Sequence, residues 1–242
     1  MDTHIERCGA GQRMLFIHGS GCSSAIWHRQ KEYLHTSMQV VLIDLPGHGR
    51  SLGDGCNSVE EYGDAVYHSL KDQAPYSIAG HSLGGAIAMY LAISHPDIVS
   101  GIILIGTGAK LRVLPSILDG IVREKERTIE EINTLSFSRA TSAATRAEVF
   151  GMMMGCPKEV TVKDFAACDR FDMMNSVGSI GLPTLILCGE DDAMTPARYS
   201  RFLKENIAHS KLVLIRDAGH MVMVEKPDEV NAAIEIFVKE RL

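Results

Sequence analysis

The 242-residue chain has no basic surplus: 24 Lys and Arg stand against 30 Asp and Glu, a formal charge of −6. Its Lys and Arg are scattered rather than clustered, so there is no positive field to hold a polyanion, and nucleic acid is excluded as a partner. Apolar runs long enough to cross a bilayer are missing, as are the basic start and apolar centre of a secretory signal in Met1-Asp2-Thr3-His4-Ile5-Glu6-Arg7. No membrane association is expected, and the location is expected to be cytoplasmic. The six cysteines, Cys8, Cys22, Cys56, Cys156, Cys168 and Cys188, include no C-x-x-C pair. That spacing argues against a zinc knuckle or a disulfide framework and leaves them as reduced packing thiols. Among the ten histidines there is no H-x-x-x-H or H-E-x-x-H pair, and no G-x-x-x-x-G-K-[ST] loop occurs. Neither a catalytic metal nor a phosphate cradle is supported, and no cofactor is expected.

With 45% hydrophobic and 22% charged residues the chain can bury a large core. One globular domain is expected, with room for an insertion. From residue 14 onward, short β-branched runs alternate with amphipathic stretches, the pattern of an α/β fold whose mostly parallel central sheet carries helices on both faces. Strands are expected at Met14 to His18, Val40 to Leu45, Tyr76 to Ala79, Val99 to Ile105, Pro183 to Cys188 and Lys211 to Ile215. Several are apolar at every position, as parallel strands buried on both faces should be. The segment His4 to Cys8, turned by Gly9-Ala10-Gly11, is expected to add an edge hairpin.

Helix starts are equally explicit. Ser58-Val59-Glu60-Glu61 reads as a capping box, in which Ser58 accepts from the Glu61 N–H and Glu61 reaches back. Val59, Tyr62, Val66 and Leu70 then trace one apolar face. Pro227 suits the first turn of a closing helix with Val230, Ile234 and Phe237-Val238 facing inward. Between residues 108 and 179 the alternation gives way to Glu, Arg, Ala and Met-rich sequence of helical character, expected to form a helical cap inserted into a core built from 1–107 and 180–242. Its Met152-Met153-Met154 and Met173-Met174 read first as packing residues.

The strongest chemical signal is Gly80-His81-Ser82-Leu83-Gly84, directly after one predicted strand and directly before the helical Ala86-Ile87-Ala88-Met89-Tyr90-Leu91-Ala92. On such a strand-to-helix turn the flanking glycines relieve clashes across a strained bend, and the serine oxygen projects at a helix N-terminus. Serine at its ordinary pKa is a weak nucleophile and needs a base, which in turn needs an orienting acid. Candidates follow in order. His220, in Ala218-Gly219-His220, comes after the strand ending at Ile215. Glu190-Asp191-Asp192 comes after the strand ending at Cys188. Both lie at the C-terminal edge of the sheet, where open parallel sheets assemble their sites. Residue types alone do not separate Asp191 from Asp192.

Together with His18-Gly19-Ser20-Gly21 and Asp44-Leu45-Pro46-Gly47-His48-Gly49-Arg50-Ser51, these motifs make the chain resemble the α/β-hydrolase family, in the style of its cap-bearing carboxylesterases and lactonases. The resemblance implies Ser82 as nucleophile and His220 as general base and acid. The family pattern G-x-x-D-x-x-x-P aligns Gly189 and Pro196 with Asp192, which implies Asp192 as the orienting acid. It also implies an oxyanion hole made by the backbone N–H groups of Ser20 and Leu83.

Other readings of the same motifs are weaker. Gly19-x-Gly21 followed by Asp44 imitates a dinucleotide fingerprint, but Ser24 replaces the third glycine. His18, His48 and His81 are accounted for by hydrogen bonding and packing within motif turns. The activity implied is hydrolysis of a carboxylic ester of a small, apolar substrate through an acyl-enzyme, by a monomer or homodimer. Lactone hydrolysis, carbon-carbon bond hydrolysis and perhydrolysis are open to the same residues, as is a ligand receptor with little turnover.

Overall fold

The computed structural model describes residues 3–241; Met1, Asp2 and Leu242, which the sequence reading includes at the chain's two ends, lie outside them. Seven strands form one sheet: β1 (Ile5–Cys8), β2 (Arg13–Ile17), β3 (Gln39–Ile43), β4 (Tyr76–His81), β5 (Val99–Ile105), β6 (Thr184–Gly189) and β7 (Ser210–Ile215). Their spatial order is β1-β3-β2-β4-β5-β6-β7, parallel throughout except at β1. The expected edge hairpin is corrected here. β1 forms, but it pairs antiparallel with β3, setting Ile5 opposite Ile43 and Cys8 opposite Val40. Both edges of β2 are already taken by β3 and β4, so the free ladder groups are those of β3.

The twofold period of a strand sends alternate side chains to opposite faces. Met14, Phe16, Val40, Leu42, Ile103, Ile105, Leu185 and Leu187 thus join one core with Leu34 of α1 (His28–Leu34) and with Val230, Ile234 and Phe237 of α10 (Pro227–Arg241). Leu15, Ile17, Val41, Ile43, Ile78, Ile102, Leu104 and Ile186 join the other. There they meet α2 (Val59–Leu70), α3 (Leu83–Ser94) and α8 (Ala197–Asn206). The cap of α2 differs in one leg from expectation. Ser58 Oγ accepts from Glu61 N at 3.2 Å, but the Glu61 carboxylate takes the N–H of Asn57, one residue earlier, at 2.8 Å.

Between β5 and β6, where the sequence predicts a helical segment over 108–179, lie α4 (Pro115–Arg123), α5 (Lys125–Ser136), α6 (Ala143–Gly155) and α7 (Lys158–Arg170). Chain entry and exit are tied together at the base, where Lys110 and Asp172 form an antiparallel bridge and Met173 N donates to Ala109 O at 2.7 Å. A short α9 (Val222–Glu225) precedes α10. Among the described residues no helix is long and apolar enough to cross a membrane.

Candidate active site

Ser82 sits between β4 and α3 with φ 53° and ψ −113°, a backbone conformation L residues rarely adopt. Such strain costs about 1–3 kcal/mol. It is outweighed by what it positions: Leu83, Ile87 and Leu91 of α3 are fully buried, and each contributes about 1.5–3 kcal/mol. The flanking glycines are steric necessities. A Cβ on Gly80 would meet Gly84 O at 2.1 Å, and one on Gly84 would meet Ile17 O at 2.2 Å. The bend is pinned by Ser82 N donating to Ile105 O at 3.0 Å, and by Thr107 Oγ1 donating to Ser82 O at 2.9 Å.

The loop after β2 runs alongside this elbow. Gly19 approaches so closely that a Cβ would lie 2.8 Å from His81 Nδ1 and 3.3 Å from Ser82 Cβ. His18 is buried with both ring nitrogens engaged: Nδ1 donates to Gly19 O at 2.9 Å, and Nε2 accepts from Leu45 N at 3.0 Å. Burial, with the nearby charge of His48, lowers its pKa to about 4, so the ring is neutral. Gly19 O also accepts from Cys22 N at 3.2 Å. In a trans peptide the N–H points opposite the C=O, so the Ser20 N–H is turned away from these anchors. Among the described residues, neither Ser20 N nor Leu83 N has a protein acceptor.

The acidic loop after β6 separates the carboxylates that residue types alone could not. Glu190 and Asp191 are exposed, whereas Asp192 is buried. His220 Nδ1 lies 3.0 Å from Asp192 Oδ2. Asp192 Oδ1 accepts from Met194 N at 2.9 Å and Thr195 N at 2.7 Å. Thr195 Oγ1 donates to Asp192 Oδ2 at 2.8 Å and stands 3.2 Å from His220 Nδ1. Burial alone would raise the Asp192 pKa, but the His220 charge and the hydrogen bonds of His220 and Thr195 reverse this and hold it low. Asp192 is therefore an ionised acceptor that fixes the imidazole tautomer with hydrogen on Nδ1, leaving Nε2 a free lone pair. His81 steadies the same loop by donating from Nε2 to His220 O at 3.1 Å. Burial first, then the His220 charge, lowers the His81 pKa to about 3.

Ser20, Ser82 and His220 line one cavity of about 620 Å³, counting its open mouth. The rest of the lining is mostly apolar, including Leu111, Val113, Ile132, Met153, Phe165 and Met194. Arg112, at the exposed edge, is the one permanently charged side chain of the lining. Among the described residues Ser82 Oγ makes no hydrogen bond to the His220 ring; the two groups face the same space. Contacts of this kind commonly tighten only once substrate is bound.

Among the polar residues at or beside the site that escaped the sequence reading are Thr195 and Asp164. Thr195 carried a local signal, since Asp192 accepts from the N–H groups two and three residues on, as Asx-type turns do. Asp164, on α7, carried none, although it is fully buried and donated to by Gly21 N at 2.8 Å. The dinucleotide imitation dissolves: Asp44 accepts from Ser24 N at 2.7 Å and Arg50 N at 2.9 Å, a purely structural use. Cys22 and Cys168 also line the cavity, but burial pushes both thiols up to about 12, so neither supplies a thiolate near neutral pH.

The family model described as the alpha/beta hydrolase family matches residues 14–233, and the chain belongs to that family. Among solved structures, a thermophilic esterase superposes with a TM-score of 0.89 at 36% identity, covering 99% of this chain and 96% of that one. The pimeloyl-[acyl-carrier protein] methyl ester esterase of Legionella pneumophila is 26% identical over 254 residues, covering 99% of this chain and all of the relative. An enol-lactonase from Burkholderia xenovorans shares the fold, with a TM-score of 0.91 at 21% identity over 98% of this chain and 96% of that one.

Proposed function

We propose that this alpha/beta hydrolase cleaves carboxylic esters of small substrates with an apolar acyl group, through an acyl-enzyme on Ser82. The observation that carries the reading is the buried Asp192 carboxylate 3.0 Å from His220 Nδ1, in a ring that shares its cavity with the strained Ser82. The esterase relatives, one of them 36% identical over nearly the whole chain, point the same way.

In the proposed reaction, His220 Nε2 takes the Ser82 proton as Oγ attacks the ester carbon. The negative charge that develops on the carbonyl oxygen is met by the Ser20 and Leu83 N–H groups, which have no competing acceptor among the described residues. Collapse of the tetrahedral intermediate expels the alcohol with the proton returned by His220. Water activated by the same ring then releases the acid and restores Ser82. Helices α4 to α7 serve as a cap: Ile132, Met153 and Phe165 place an apolar surface over Ser82, which favours an alkyl or aryl acyl chain.

The test is a fluorophosphonate probe with mass mapping, alongside turnover of p-nitrophenyl esters. Stoichiometric label on Ser82 and multiple turnovers are expected. Label on another residue overturns the nucleophile, and a single turnover in place of many makes the protein a receptor.

A further inference from the structure

A buried polar cluster outside the Ser82, His220 and Asp192 set joins four distant parts of the chain. Its centre is Asp164, which is fully buried on α7. Its Oδ1 accepts from Tyr62 Oη at 2.5 Å. Its Oδ2 accepts from Gly21 N at 2.8 Å and from His48 Nε2 at 2.8 Å. His48 Nδ1 faces Pro46 O at 3.1 Å, so both ring nitrogens face acceptors only, and both must carry hydrogen. The pair is thus an imidazolium and a carboxylate with no solvent contact, the carboxylate satisfied by three donors at once.

Isolated charges so deeply buried are costly. What the cluster grips is informative. Gly21 immediately follows Ser20, and its φ of +68° is a conformation that glycine leaves as readily as it enters. The peptide before Ser20 is held by His18 Nδ1 and Cys22 N on Gly19 O; among the described residues, the peptide after it is held by Asp164 alone. Four residues further along α7, Cys168 Sγ stands 3.5 Å from Ser20 Oγ.

Resting on the acyl-enzyme reading above, we infer that Asp164 is a positioning residue for the oxyanion hole: by holding the Gly21 N–H from α7 it fixes the Ser20 Cα, the far end of the Gly19–Ser20 peptide, so that together with the anchors on Gly19 O it keeps the Ser20 N–H aimed at the carbonyl oxygen of a substrate on Ser82. The hole is therefore complete only while α7 is docked. Without the clamp the Ser20–Gly21 peptide turns and shifts the Ser20 Cα, so that the N–H on the preceding peptide is misdirected in the transition state, while the apolar groups that bind the acyl chain stay in place.

The test compares Asp164→Ala and Asp164→Asn with Val66→Ala, a fully buried α2 position outside the cavity lining that controls for lost stability. Measured are kcat and KM for p-nitrophenyl butyrate, Ki for an alkyl trifluoromethyl ketone that forms an anionic adduct on serine, the Tm, and fluorophosphonate labelling. Since losing one oxyanion donor costs about a hundredfold to a thousandfold, Asp164→Ala is expected to lower kcat about a hundredfold at nearly unchanged KM and to weaken the ketone in step. Asparagine offers one oxygen to three donors, and about a tenfold loss is expected. Val66→Ala keeps the wild-type kcat despite a lower Tm. The inference is overturned if kcat of either Asp164 variant stays within about twofold of Val66→Ala, or if KM rises while kcat holds. If Asp164→Ala does not fold, Asp164→Asn decides on the same criterion. Failure of the underlying reading looks different: wild-type protein then carries no label on Ser82.

Discussion

Asp192 and His220 meet at 3.0 Å between Oδ2 and Nδ1, and Thr195 closes the triangle by bonding the same carboxylate oxygen. The arrangement makes the carboxylate a pure acceptor. Asp192→Asn would present an amide N–H to the imidazole or swing its oxygen away from Thr195, stabilising the wrong tautomer. Turnover is expected to fall about ten-thousandfold with folding retained, whereas exposed Asp191→Asn stays near wild type. Steady-state kinetics of the two variants, with circular dichroism as the folding check, decide between the neighbours.

Ser82 at φ 53° predicts a stability difference between two inactive variants. Alanine keeps the Cβ that makes this conformation costly; glycine removes it. Ser82→Gly is expected to be about 1 kcal/mol more stable than Ser82→Ala, or about 2–4 °C in Tm for a chain of this size. Equal melting temperatures in differential scanning calorimetry would show that the elbow stores no strain.

Much of this was legible in the sequence because it depends on local order. Short apolar runs such as Leu185-Ile186-Leu187-Cys188, bounded by Pro183 and Gly189, read as central strands, and Gly80 and Gly84 are imposed by backbone approaches of about 2 Å that no Cβ survives. What stayed hidden is long-range. Asp164 bonds groups 102, 116 and 143 positions away, and a lone aspartate between Lys163 and Phe165 is indistinguishable by type from a solvated helix charge. The edge pairing of β1 with β3 was similarly invisible, because β-ladder partners follow from which edge is vacant rather than from sequence adjacency.

The His48–Asp164 pair predicts an alkaline limit on stability. Burial alone would lower the His48 pKa, but the adjoining Asp164 carboxylate more than reverses this and raises it to about 10. A histidine ordinarily titrates near 6.5, so the folded chain holds a proton that the unfolded chain has released. The stabilisation is complete below pH 6.5 and is lost as pH rises through about 10. Of the groups facing the pair, Tyr62 is raised still further and stays neutral, and His18 is neutral throughout. Between pH 7 and 8, urea unfolding should lose up to about 1.4 kcal/mol per pH unit for this proton. That slope should be absent in Asp164→Asn, and a wild-type slope in the variant would place the proton elsewhere.

In the proposed reaction the cavity wall would set the acyl preference. Met153 of α6 and Ile132 of α5 face the space above Ser82, and a Cβ on Gly21 would lie only 3.4 Å from the Met153 terminal methyl. Met153→Trp adds bulk there without touching His220 or Asp192, so the room for a long acyl tail shrinks while the reacting groups keep their places. Each methylene displaced from an apolar pocket is worth about 1 kcal/mol or more, so kcat/KM for p-nitrophenyl octanoate is expected to drop at least tenfold relative to the acetate. The acetate itself should change little. A uniform fall across acetate, butyrate and octanoate would mean that the substitution had disturbed the oxyanion loop, and that the acyl chain leaves the cavity by another wall.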